Sequence, residues 1–119
     1  MRAVVYRRFG AASQVLSLEH CSNPLPQAGE VLVKIKFSGA NPSDVKSRAG
    51  SRPGVTKPAY EMVIPHSDGA GTIEAVGAGV DEKRIGQRVW IWNGQWGRAL
   101  GTAAEYIALP TDQAVEMPS

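Results

Sequence analysis

Residues 31–50 read VLVKIKFSGANPSDVKSRAG, and two chain periodicities meet inside them. Val31, Val33, Ile35 and Phe37 fall on one side of Lys34 and Lys36, the period-two pattern of a strand with one face in the core and one in water. Asn41-Pro42 stops that pattern. Asn is a favoured N-cap, and Pro suits the first helical position, where an N–H would lack an intrahelical partner anyway. Gly50 suits the left-handed residue that closes a helix. The stretch therefore predicts a half-buried strand feeding a short helix, Pro42 to Ala49.

The same reasoning extends outward. Val4 to Tyr6 predicts a first strand, and Leu16, Leu18 and His20, alternating with Ser17, Glu19 and Cys21, predict a second. Asn23, Pro24, Pro26 and Gly29 then turn the chain. Residues 51–65, rich in Pro, Gly and Ser, predict a long surface loop, and loops of that length are usually functional or without fixed structure. Strand patterns return in GAGTIEAVG (69–77), RVWIW (88–92) and TAAEYIALP (102–110), with turns at Gly77, Gly79 and Gly86. Five or six strands and one short helix in 119 residues predict one mostly-β domain over 1–119, a small, partly open barrel or sandwich.

Composition removes several functions. Thirteen basic and eleven acidic residues leave a net charge of +2, with Arg7-Arg8 and Lys83-Arg84 the only adjacent basic pairs. That predicts a solvated surface and no nucleic-acid partner. Apolar runs last only a few residues, which argues against a membrane-spanning helix, and MRAVVYRRFG turns polar by Arg7, too early for a secretory leader. A cytoplasmic location is the simplest expectation. One cysteine, Cys21, excludes an internal disulfide and cannot alone make a thiolate zinc site; its strand-like setting predicts packing. HExxH, CxxC and P-loop motifs are absent. Gly69-Ala70-Gly71 resembles the start of a dinucleotide fingerprint, but Glu74 holds the third glycine position and no helical pattern follows. Close backbone approach or a bulge within a strand explains these glycines better.

Three groups of side chains stand out, each with a structural and a functional reading. Asn41, Ser43, Asp44, Lys46 and Arg48 crowd the strand-to-helix corner, as caps and dipole complements or as a polar site. Pro65-His66-Ser67-Asp68 precedes a strand, where His66 is a hydrogen-bonded turn residue or a proton donor. Trp90, Trp92 and Trp96 form a stacking platform, or else core or interface.

Six segments in order, MRAVVYRRFG (1–10), PQAGEVLVKI (26–35), SGANPSDVKSRAG (38–50), IPHSDGAGTIEAVGAGV (64–80), GQRVW (86–90) and AAEYIALP (103–110), resemble the N-terminal catalytic domain of medium-chain dehydrogenases and reductases. The likeness is to the zinc-free quinone oxidoreductase branch and implies a GroES-like, mostly-β, partly open barrel. In zinc-dependent members the place of Asn41 is a metal-binding cysteine, that of Ser67 a histidine and that of Asp68 a glutamate. The four-cysteine structural lobe is replaced here by NGQWGRALG (93–101). The resemblance thus implies no zinc. It places Asn41 against the nicotinamide of NADPH, with Ser43 and Lys46 as catalytic and substrate contacts. Lys46 stands where a tyrosine is common, and a cationic tip there suits a developing enolate or hydroquinone oxygen. His66 replaces a usual glycine, altering the loop or adding a proton donor beside the substrate, and Gln87 replaces the aspartate of a GDRV turn.

The function implied is that of a catalytic-domain fragment of an NADPH-dependent, zinc-independent reductase of a quinone or α,β-unsaturated carbonyl. NADPH would be held mainly by a Rossmann domain that the family places downstream, outside 1–119. The isolated chain is expected to be monomeric and inactive, and the parent a homodimer. Asp44 and Arg48 are expected to organise the helix as a pair. Two other classes stay open on the residues alone: a co-chaperonin-type interaction domain sharing the barrel, and a small-barrel nucleic-acid binder.

Overall fold

The computed structural model describes residues 1–118. In chain order it forms β1 (Arg2–Val5), α1 (Ala12–Val15), β2 (Ser17–His20), β3 (Glu30–Gly39), α2 (Pro42–Ala49), β4 (Asp68–Val76), β5 (Arg88–Ile91), β6 (Tyr106–Pro110) and β7 (Ala114–Glu116). Two short 3₁₀ turns, Glu82–Arg84 and Thr111–Gln113, punctuate the second half. β1 and β2 pair as a small ribbon, and the other five strands make an antiparallel sheet ordered β6-β3-β4-β5-β7. The expected mostly-β, partly open GroES-like architecture stands, as two sheets that do not close into a barrel.

The core follows the alternation. Val31 and Val33 of β3, Ile73 of β4, Val89 and Ile91 of β5, Ile107 and Leu109 of β6 and Ala114 of β7 pack into one buried cluster. A second cluster joins Ala3 and Val5 to Ile64, with Cys21 packed against it, so the cysteine fills space. Burial of these aliphatic side chains, about 1.5–3 kcal/mol each, is what opposes the chain's conformational entropy.

Several expectations are corrected. Phe37 is 68% exposed instead of core-facing. The register between β3 and β4 shifts between Ile35 and Phe37, and the extra residue rotates the end of β3 out of the alternation. Gly71 sits at that bulge: a Cβ there would lie 2.0 Å from the Lys34 carbonyl oxygen, so β3 and β4 approach as no other residue would permit. Gly69 and Gly71 therefore lie inside β4, as the bulge reading had it. Trp90 and Trp92 are not core: Val89 and Ile91 take the inner face of the strand, and the two indoles are 45% and 43% exposed. The strand expected over 102–110 begins only at Tyr106, because residues 103–105 peel away to meet β1, where Val4 N–H donates to the Ala103 carbonyl at 2.9 Å. The loop over 51–65 is not surface throughout, since Val63, Ile64 and Pro65 are buried and Val63 pairs with Tyr6. Leu18 of β2 points to solvent, leaving that ribbon without an apolar face on its outer strand.

Candidate functional site

Helix α2 spans Pro42–Ala49, as the sequence predicts, with Gly50 left-handed at its end (φ 75°). A capping box closes its N-terminus, in which the backbone N–H of Asn41 donates to Asp44 Oδ2 at 2.7 Å. The helix buries none of its residues and so contributes a polar wall instead of core.

That wall borders a cleft of about 730 Å³, within the range of small-molecule sites. Ser43, Lys46, Ser47 and Gly50, spaced as one helix face, line it from one side. Val55, Pro58 and Tyr60 of the long loop line it from another, which gives that loop a defined place. Trp96 and Arg98 from the turn after β5 complete it, with Tyr6 and Ser67 also exposed to its interior.

Asn41 and His66 do not line the cleft; they sit behind it in a hydrogen-bonded chain centred on Asp68. Asn41 Nδ2 donates to Asp68 Oδ2 at 2.6 Å, and the Asp68 backbone carbonyl accepts from Thr102 Oγ1 at 2.7 Å. Thr102, fully buried, meets Ser38 Oγ at 3.1 Å, and Ser38 Oγ meets His66 Nδ1 at 2.8 Å. The structure thus brings Ser43 and Lys46 together at the cleft, and Asn41 and His66 together through Ser38, Thr102 and Asp68. His66 adopts a left-handed backbone (φ 78°), a conformation that favours glycine. Its hydrogen-bonded turn role is present. Asp44 and Arg48 do not pair: Asp44 caps the helix, while Arg48 Nη1 donates to the Gly10 carbonyl at 2.7 Å.

Two cleft residues, Tyr6 and Arg98, and Thr102 behind the cleft carry no signal in the sequence. Tyr6 continues an apolar strand, yet it borders the cleft; burial raises its pKa and outweighs the opposing pull of Arg48, so it stays a hydroxyl donor near neutral pH. Thr102 joins Asp68 across 34 residues of chain, a contact without a local pattern. Arg98, in a Gly-rich turn, reaches buried Gln113, and burial disfavours its charge.

Among the described residues no three His, Cys, Asp or Glu side chains converge. The donors at the metal-ligand places, an amide, a hydroxyl and one carboxylate already bonded to Asn41, do not fit zinc, which takes thiolate, imidazole and carboxylate ligands.

The model of the alcohol dehydrogenase GroES-like domain matches residues 27–119. Among curated proteins, an alcohol dehydrogenase of Moraxella sp. (strain TAE123) is 36% identical over 96 residues, covering 78% of this chain and 27% of its own length. A quinone oxidoreductase of Rattus norvegicus is 36% identical over 93 residues, covering 78% of this chain and 27% of its own. The mycobacterial protein Rv1454c, solved in complex with NADPH, superposes with a TM-score of 0.83 at 28% identity, over 100% of this chain and 34% of that one. The chain thus spans about a quarter to a third of the length of the relatives it matches.

Proposed function

The chain belongs to the family of alcohol dehydrogenase GroES-like domains, and on that premise we propose that it is the substrate-side domain of a zinc-independent, NADPH-dependent reductase of quinones or α,β-unsaturated carbonyls. The observation that carries this reading is the polar face of α2, which presents Ser43 and Lys46 side by side to the cleft and buries nothing. A hydroxyl and an ammonium on one helix face are donors suited to an oxygen that gains negative charge as a carbonyl or quinone is reduced. Bound in a second domain, NADPH supplies the hydride. The short span of the chain within its relatives supports a second domain on the same polypeptide.

Asn41 is assigned to positioning. A carboxylate only accepts, so the bond to Asp68 fixes the amide with its NH₂ end toward Asp68. A fixed amide at the strand-to-helix corner, next to the residues of α2 that line the cleft, suits the orientation of a planar nicotinamide. His66 has a supporting role, bracing Ser38 and through it the Thr102–Asp68 link.

Two measurements test the reading. Metal analysis of protein purified without chelator is expected to give far less than one zinc per chain; a stoichiometric, tightly held zinc would contradict it. In the polypeptide that joins this domain to its cofactor domain, Ser43→Ala and Lys46→Ala are each expected to lower kcat/KM by roughly tenfold, to a degree that depends on the substrate. Unchanged kinetics in both variants would remove α2 from the reaction.

A further inference from the structure

The described residues form two ion pairs, Arg2 with Glu105 and Arg7 with Glu19, both at the surface and away from the cleft. Arg98 has no such partner. It lines the cleft, is only partly exposed, and its Nη1 is enclosed by protein without any hydrogen-bond acceptor. Its protein contact is a neutral one, Nη2 donating to Gln113 Oε1 at 3.2 Å. Desolvation penalises a half-buried guanidinium, and the attraction of Glu30, which forms no ion pair with it, repays that only in part.

The arrangement around it is nevertheless built. Gln113 is 8% exposed, and its Nε2 donates to the backbone carbonyls of Trp92 at 3.0 Å and Asn93 at 2.8 Å. Those two bonds fix which end of the amide faces Arg98, so the guanidinium is held by a buried, oriented acceptor. The rest of the cleft has the same sign. Lys46, Arg52 and Arg98 line it against one acid, Asp44, whose carboxylate already accepts the Asn41 N–H. Exposed Tyr60 and Trp96 add apolar surface beside these cations.

We propose that Arg98 forms an anion subsite in the cleft, and that the substrate carries a carboxylate in addition to the carbonyl or quinone that is reduced. The proposal rests on the reading of the cleft as the substrate site. A carboxylate there supplies the directly paired charge that Arg98 lacks, and the delocalised guanidinium spreads that compensation over its enclosed nitrogen as well. The carboxylate end would sit toward Arg98 and the reducible oxygen toward Ser43 and Lys46.

The test is an NMR titration of the ¹⁵N-labelled 119-residue chain with 4-oxopentanoate and, separately, its methyl ester. These probes share the ketone and differ in charge. The acid is expected to bind about fivefold more tightly than the ester, to move the Arg98 Nε–H resonance, and to lose its advantage in high salt. Arg98→Gln is expected to bring acid and ester within about twofold of each other by weakening the acid more than the ester, and Arg98→Lys to restore part of the preference. Should Arg98→Gln not fold, the acid-to-ester ratio of the unsubstituted chain and the response of its Arg98 resonance decide the matter. Equal binding of acid and ester in the cleft, or a preference that survives Arg98→Gln, would overturn the anion subsite and leave the cleft as the substrate site. Binding of neither probe at cleft residues would overturn both. Inorganic phosphate displacing the acid from Arg98 at matched ionic strength would overturn the substrate carboxylate in favour of a cofactor phosphate.

Discussion

At the scale of single residues, Asn41 had two rival readings, a helix cap and an active-site amide, and the structure separates the atoms that serve them. Its backbone N–H and the acceptor end of its side chain belong to the capping box, and its side-chain nitrogen to Asp68. In the two-domain polypeptide, Asn41→Ala is expected to lower kcat/KM by on the order of ten- to a thousandfold, because reactive geometry supplies much of the rate. The stability loss should be limited to that of a cap, about 1 kcal/mol. Melting and steady-state kinetics on the same variant separate the two, and a lowered melting point with unchanged kcat/KM would leave Asn41 a cap. At Glu19, hydrogen bonds from Arg7 and then Ser17 lower the carboxyl pKa to about 2. The folded carboxyl binds its proton less readily than the unfolded one, so the stability this contact adds is present above the unfolded carboxylate pKa and is lost as pH falls to about 2. Carboxyl-detected NMR titration checks this, and an ordinary glutamate midpoint for Glu19 would contradict it. His66 was legible as a glycine replacement only through the family resemblance, whereas its positive φ and its link to Ser38 depend on chain segments far apart in sequence.

At the scale of elements, legibility depended on whether local chemistry marks both ends. Asn41-Pro42 and Gly50 mark α2, and its bounds follow from them. The extent of β3 was legible but its facing only to Ile35, since the bulge that turns Phe37 outward arises from the partner strand, through Gly71. β7, three residues long, has too few positions to show a period, and α1 has only four. Of the readings open for Trp90 in β5 and Trp92 just after it, core fails because the smaller Val89 and Ile91 fit the inner face. The bulge yields a prediction at this scale. Gly71→Ala would place a methyl group against the Lys34 carbonyl, where only backbone movement relieves it. Urea unfolding is expected to show a loss of about 2 kcal/mol or more. A change below about 0.5 kcal/mol, the range of neutral surface substitutions, would mean the two strands are not pressed together there.

At the scale of the whole molecule, the scattered charge and the six ordered segments were readable in the sequence, and the family match over residues 27–119 agrees with them. The cleft was not readable, because its walls come from the segment after β1, α2, the long loop and the turn after β5, and no periodicity announces that they meet. Gly69 and Gly71 lie within β4 and so form no phosphate-binding turn at a helix N-terminus. The central claim is that this domain supplies substrate contacts and a second domain supplies the cofactor. The direct measurement is quinone- or enone-dependent oxidation of NADPH, followed side by side for the 119-residue chain and for the polypeptide that also carries the cofactor domain. The account predicts no turnover by the chain alone and metal-independent turnover by the longer polypeptide. Turnover by the chain alone, or a longer polypeptide that oxidises NADPH with neither class of acceptor, would contradict it.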